Sequence, residues 1–155
     1  MRAKQLTLLF LTRQDKVLLA MKKRGFGAGR WNGVGGEVEE NETPNDAAIR
    51  ECREEINVTP TRFHQVATIT FNEVHDDKRK IMNVSVYICT AWEGIPSETE
   101  EMRPEWFKKT DIPYKECWSD DKYWLPLILD NKIIKATFIM DNNDEVASYT
   151  LLEVK

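Results

Sequence analysis

Cysteine is scarce in this 155-residue chain and badly placed for cross-linking: Cys52, Cys89 and Cys117 are odd in number, widely spaced and form no CxxC pair. That excludes a disulfide framework and a cysteine-based zinc site, so the three are expected to be reduced, structural thiols. Histidine is scarcer still, and His64 and His75, with no third ligand at metal spacing, read as strand-surface residues. A long apolar run is missing too. The longest near the start, Leu8 to Leu11, is too short for a signal core or a membrane span, and no small-residue cleavage site follows it. The expectation is a cytoplasmic protein with no membrane attachment. Positive charge is not in excess: 22 basic and 26 acidic residues leave a formal charge of −4. A sequence-independent grip on a nucleic acid polymer needs a basic surface and is therefore not expected, although locally concentrated cations could still hold a small anion. Linkers, internal repeats and low-complexity tracts are absent, so residues 1–155 are expected to form a single domain, taken to be a monomer.

What is present suits a packed core, since 41% of the residues are hydrophobic and five are Trp. Alternating or continuous apolar runs predict strands at about 4–12, 17–22, 31–35, 64–74, 81–92, 133–140 and 146–154. Two helices interrupt them. The first is predicted from Pro44 to Ile56, with Thr43 as N-cap, Pro44 in the first helical position and Asn57 suited to a left-handed residue at its end. The second runs from about Asp120 to Asp130. Asp-Asp-Lys at 76–78 and Asp-Asn-Asn-Asp at 141–144 read as hairpin connections. Helices inserted among more numerous strands predict an α/β protein with a mixed sheet covered by helices.

The chemistry concentrates between Gly35-Gly36 and Val58, around Arg50-Glu51-Cys52-Arg53-Glu54-Glu55. A helix turns about 100° per residue, which puts Glu51, Glu54 and Glu55 within one sector and Ile49, Cys52 and Ile56 in the next. One stripe can bury while the other faces a site. Three carboxylates this close repel one another, and a cation is the simplest way to keep all three ionised. Hard oxygen donors suit Mg²⁺ or Mn²⁺. A Glu-Glu pair alone is more often a solvated helix face, but Gly33, Gly35 and Gly36 allow the backbone a close approach to phosphate or metal. Trp31 and Val34 in the same stretch argue against a merely flexible loop.

These residues resemble the Nudix box: Gly36, Glu42, Arg50, Glu51, Cys52, Glu54, Glu55, Asn57 and Val58 occupy its positions. Every charged position matches. Cys52 replaces an aliphatic residue and Asn57 a glycine, and both fit structurally because Cys packs as a small apolar group and Asn tolerates left-handed backbone. The resemblance implies a Nudix α/β/α sandwich with a loop-helix-loop motif. It further implies divalent metal, Mg²⁺ or Mn²⁺, held by Glu51, Glu54, Glu55, Glu101 and the Gly36 carbonyl. Arg50 would orient the glutamates, Glu37 and Glu42 would be structural, and either Glu54 or Glu55 would serve as general base to a water attacking phosphorus in line.

Across nearly its whole length the chain is similar to the mammalian-type oxidised-purine nucleoside triphosphatases, a MutT-related group, notably at Met21 to Gly33, Glu101 to Pro104 and Trp118 to Trp124. The implied substrate is a small-molecule nucleoside triphosphate of the 8-oxo-dGTP or 2-oxo-dATP type, cleaved to the monophosphate and pyrophosphate to sanitise the nucleotide pool. Asn32, Asp120 and Asp121 would recognise the base. Phe26, Phe71, Met82, Trp118 and Trp124 would form walls, and Thr7 and Lys22 would position the nucleotide. Chemically, Asn32 offers donors and an acceptor, and two aspartates in one apolar pocket could share a proton and so recognise two hydrogen-bonding patterns. From the residues alone, Asp120 could equally be a helix N-cap, and Trp118 and Trp124 could be ordinary core. Glu73 departs from the group's second pocket aromatic, and the hairpin at His75 to Lys80 is two residues longer. Other diphosphate substrates, such as a dinucleoside polyphosphate or ADP-ribose, and a noncatalytic nucleotide sensor are the competing readings. A calcium loop at Asp141 to Glu145 is rejected, because Val146 stands where glycine is needed and strands flank it.

Overall fold

The computed structural model describes residues 3–154, without the side chain of His75, so the expectation for that residue lies outside the described side chains. The strands are β1 (Lys4–Arg13), β2 (Lys16–Lys22), β3 (Trp31–Asn32), β4 (Thr59–His75), β5 (Lys78–Glu93), β6 (Met102–Lys108), β7 (Ile134–Met140) and β8 (Val146–Glu153). They join in the order β3-β2-β1-β5-β4-β7-β8, with β6 paired to β2. Two neighbours, β1 with β5 and β4 with β7, run parallel, whereas β1–β2, β4–β5 and β7–β8 are antiparallel. The sheet is therefore mixed.

The continuous run Leu8 to Leu11 is apolar because β1 is covered on both faces. Successive side chains alternate, so Leu9 and Leu11 join Ala48, Cys52 and Ile56 of α1 (Pro44–Ile56) in one core, while Phe10 joins Trp124, Leu125 and Ile128 of α2 (Asp121–Leu129) in the other. One helix on each face makes the α/β/α sandwich. Among the described residues no helix is long and apolar enough to cross a membrane.

Helix α1 is capped as its residues dictate. The Thr43 side chain accepts a hydrogen bond from Asp46 N–H (3.1 Å), Pro44 opens the helix, and Asn57 closes it at φ 62°, donating its N–H to the Arg53 carbonyl. The two-residue turn at Asp76-Asp77, both at positive φ, joins His75 to Lys78 as a tight hairpin. The Asp141–Asp144 connection joins β7 to β8.

Three expectations change. Strand β6 is absent from the sequence reading because Arg103, Pro104 and Glu105 break its apolar pattern, yet it pairs with β2 along seven residues, Pro104 opposite Ala20. The strand expected at 31–35 shortens to Trp31–Asn32 plus isolated bridges from Val34 to Leu9 and from Glu37 to Leu6. On α1 the buried stripe is Ala47, Ala48, Cys52, Glu55 and Ile56, with Ile49 half-buried. A carboxylate residue thus lies where the helical sector suggested an outward face.

Candidate active site

The glycine loop and α1 meet by contact rather than by flexibility. Gly36 lies so close to Glu51 that a Cβ there would stand 2.6 Å from its Oε1, and at Gly35 a Cβ would strike the Thr7 carbonyl. At Gly35 the obstacle is backbone and glycine is required by packing alone, whereas at Gly36 a side chain would have to displace the Glu51 carboxylate. The Gly36 carbonyl accepts the Thr7 N–H (2.9 Å), keeping one lone pair for another partner, and Gly35 N–H donates to Glu55 Oε1 (3.3 Å).

The three glutamates are in three different states. Glu55 is 2% exposed, and its Oε2 has no hydrogen-bond partner. Burial, then the hydrogen bond and negative charge of Glu51, push its pKa up to about 9, with the Gly35 N–H as a partial offset. Without a cation, Glu55 therefore favours its protonated form at neutral pH. Glu51 is also pinned by Arg50 Nη1 (2.8 Å). Glu54 is largely in solvent, its carboxylate 3.4 Å from Arg50. Glu101 adds negative charge that raises Glu55, but its side chain turns outward to 4.0 Å from Arg24. Among the described residues, no three acidic, His or Cys side chains converge as a ready-made metal group.

Arg50 holds this region together. Its guanidinium forks onto both oxygens of Glu42 (2.8 and 3.1 Å) and donates to the Glu37 carbonyl (3.1 Å) as well as to Glu51. The forked pair raises the Arg50 pKa and lowers that of Glu42, so both stay charged. Arg50 does not line the cavity described next. Its contacts are those of a positioning residue.

Beside this cluster opens a cavity of about 280 Å³, bordered by Gly35 and Gly36. Thr7, Lys22, Phe26, Asn32, Phe71, Met82, Trp118, Asp120, Asp121 and Trp124 all line it, brought from β1, β2, β3, β4, β5 and α2 and the segments beside them. Thr7 is buried and its Oγ1 has no hydrogen-bond partner. Phe26, 64% exposed, lies against Trp118 at the mouth, ring centroids 5.2 Å apart. Sequence reasoning missed Arg30, whose guanidinium sits 4.0 Å from the Trp118 ring centroid. It also missed Gly27, where a Cβ would come 3.1 Å from Trp118, and Met140, the last residue of β7. The signal for Met140 was the strict alternation of β7, which buries every second residue from Ile134.

Asp120 and Asp121 are 4% and 3% exposed. Asp120 does not cap α2: its side chain makes no capping bond, and its Oδ2 instead accepts the Trp124 Nε1–H at 2.7 Å. Burial raises both carboxyls. The Trp124 bond holds Asp120 lower, while the neighbouring Asp120 carboxyl drives Asp121 well above the usual carboxylate range.

Residues 2–128 match the NUDIX domain, and the chain belongs to the Nudix family. It is 44% identical over 148 residues to the oxidized purine nucleoside triphosphate hydrolase of Mus musculus, covering 96% of this chain and 94% of that protein. It is 40% identical over 153 residues to the protein of the same name from Danio rerio, covering 99% and 97%. A MutT protein from Bacillus halodurans shares the fold, with a TM-score of 0.85 at 24% identity over 96% of this chain and 97% of that one.

Proposed function

We propose that this chain hydrolyses oxidised purine nucleoside triphosphates, of the 8-oxo-dGTP and 2-oxo-dATP type, to the nucleoside monophosphate and pyrophosphate, with Mg²⁺ as cofactor and Mn²⁺ able to replace it. One observation carries the reading. A single cavity has a buried pair of adjacent aspartates and aromatic walls, and it borders the glycine loop that packs on Glu51 and Glu55. The names of the mouse and zebrafish relatives point to the same activity.

The oxygens beside Gly36 fit a hard divalent cation. Glu55 Oε2 is buried without a partner, Glu51 lies against it, and the Gly36 carbonyl has a lone pair to spare. When bound there, the cation supplies charge neutralisation for the phosphate chain and a more acidic water. Arg50 keeps Glu51 in place. Glu54, in contact with solvent, and Glu55, once ionised, are the carboxylates able to take the proton from the attacking water. Lys22 and Arg30 set positive charge on the cavity against the triphosphate. Asn32 and the Asp120–Asp121 pair supply donors and acceptors to the base edge, and Trp118 with Phe26 supplies ring faces. Removal of damaged triphosphates makes the role one of nucleotide-pool sanitation. Residues 1–155 act as a single, monomeric domain in the cytoplasm, a reducing compartment suited to three buried free thiols.

Products in ¹⁸O-labelled water test this directly. Attack at the β-phosphorus puts the label in pyrophosphate, whereas label in the monophosphate contradicts that regiochemistry. Faster cleavage of ADP-ribose or a dinucleoside polyphosphate than of any purine triphosphate would overturn the substrate assignment.

Metal binding should also depend on pH. Glu55 must lose its proton to ligate, and its value is about 9 in the metal-free protein. Between pH 7 and 9, Mg²⁺ or Mn²⁺ affinity is expected to rise about tenfold per pH unit, levelling above 9, with about one proton released. Calorimetry in buffers of different ionisation enthalpy measures both. A flat pH profile without proton release would remove Glu55 from the ligand set.

A further inference from the structure

The connection Asp141-Asn142-Asn143-Asp144-Glu145 is no calcium loop, yet its path is fixed by its own side chain. Asp141 Oδ1 accepts the N–H groups of Asn143 (2.8 Å) and Glu145 (3.0 Å), and the Asp141 N–H donates to the Glu145 carbonyl (2.8 Å). Two further backbone groups of this stretch meet one hydroxyl. Ser119 Oγ donates to the Asp144 carbonyl and accepts the Val146 N–H, each at 3.2 Å.

Ser119 stands between Trp118 and Asp120, with Asp121 next in the chain. Those three neighbours line the cavity, as does Met140, the residue just before the connection. Among the described residues, Ser119 and the 141–146 stretch stay outside the lining. The stretch from Trp118 to Asp120 belongs to no strand, and its backbone bonds run forward into α2, from Asp121 N–H to the Trp118 carbonyl and from Tyr123 N–H to the Asp120 carbonyl. Such bonds fix its local shape. Its place against the sheet is set from outside, by the Cys117 bridge to Trp31 on one side and by the Ser119 hydroxyl on the β8 side. Hydrogen bonds to a base edge weaken steeply with distance and angle, so a small drift of this segment spoils recognition.

We propose that Ser119 is a positioning residue for base recognition: it pins the segment carrying Trp118, Asp120 and Asp121 to the β7–β8 connection and so sets where these side chains meet the base. This rests on the substrate reading above and deepens it. The Asp141 turn is then the outer brace of the base site, acting through Ser119 without touching the nucleotide.

The test compares Ser119→Ala, which removes both bonds, Ser119→Thr, which keeps the hydroxyl, and Asp141→Ala, which loosens the connection from outside the cavity. In Ser119→Ala the KM for 8-oxo-dGTP should rise about tenfold with kcat within about twofold. The kcat/KM ratio of 8-oxo-dGTP to dGTP should fall about threefold or more, because the base that makes the full set of bonds loses most. Threonine should restore both. Asp141→Ala should shift the ratio in the same direction, and the double variant should lose no more than Ser119→Ala alone, as expected for one shared link. Mg²⁺ affinity should not change. Hydrogen exchange gives a readout free of substrate: amides of residues 118–122 should exchange faster in Ser119→Ala and Asp141→Ala than in the wild type. If Ser119→Ala does not fold, Asp141→Ala alone should show the altered ratio and the faster exchange. A wild type that neither binds nor cleaves an oxidised purine nucleotide would overturn the substrate reading and this inference together. An active wild type with unchanged ratios and exchange in the variants, or with all substrates weakened alike and only the melting temperature lowered, would overturn this inference alone.

Discussion

Glu55→Gln is expected to lower turnover about a hundredfold at limiting metal while leaving the fold and thermal stability nearly unchanged. In the metal-free protein burial already favours the neutral, protonated form of Glu55, and a glutamine side chain is neutral in the same way and can accept the Gly35 N–H. The variant thus copies the resting state but cannot ionise, so it loses a charged ligand for the cation and a candidate proton acceptor. Glu54→Gln should lower turnover on the same scale for a different reason. Its carboxylate faces water with one long contact to Arg50, so stability has little to lose, whereas the proposed cation site and water activation lose a negative charge. Steady-state rates across a metal titration, with melting temperatures, measure both variants. Undiminished turnover in both at limiting metal would sink the assignment of this helix.

The second large effect is on substrate ranking. Asp120→Asn and Asp121→Asn are expected to change relative kcat/KM among 8-oxo-dGTP, 2-oxo-dATP, dGTP and dATP by roughly tenfold to a hundredfold, with the metal requirement intact. An amide cannot exchange a proton with its neighbour. At position 121 it imitates the protonated acid and should keep the pair in one pattern. At position 120 an amide oxygen can still accept the Trp124 Nε1–H, so packing survives, but the charge that Asp121 answers to is gone. Substrates that rely on different protonation states should therefore separate. Equal loss on all four with ranking preserved and stability lowered would take these aspartates out of base recognition.

Much of this was legible in the residues, for physical reasons that differ from place to place. Thr43, Pro44 and Asn57 mark the ends of α1 because capping and left-handed backbone are local properties. The hairpin at Asp76-Asp77 was readable for the same cause. Strand β6 was not, because its pairing with β2 is tertiary and Pro104 with its charged neighbours conceals the alternation. Helical angles grouped Glu51, Glu54 and Glu55 but could not say that Glu55 would pack inward against the glycine loop while Glu54 stayed in water. That depends on β1 lying beneath Gly35 and Gly36. Around the cavity, the family resemblance gathered residues from distant segments that propensity alone could not assemble. On the residues alone Asp120 was as good a helix cap as a base ligand, and its bond to Trp124 decides against capping.

A competition assay tests the central claim most directly: 8-oxo-dGTP, 2-oxo-dATP, dGTP and dATP mixed in equal amounts with the wild-type protein, with and without Mg²⁺, the monophosphates and pyrophosphate quantified over time. The expected result is that oxidised purine monophosphates and pyrophosphate form first and in equal amounts, only when Mg²⁺ is present. Equal consumption of all four triphosphates, release of orthophosphate in place of pyrophosphate, or undiminished cleavage after complete removal of divalent metal would contradict it.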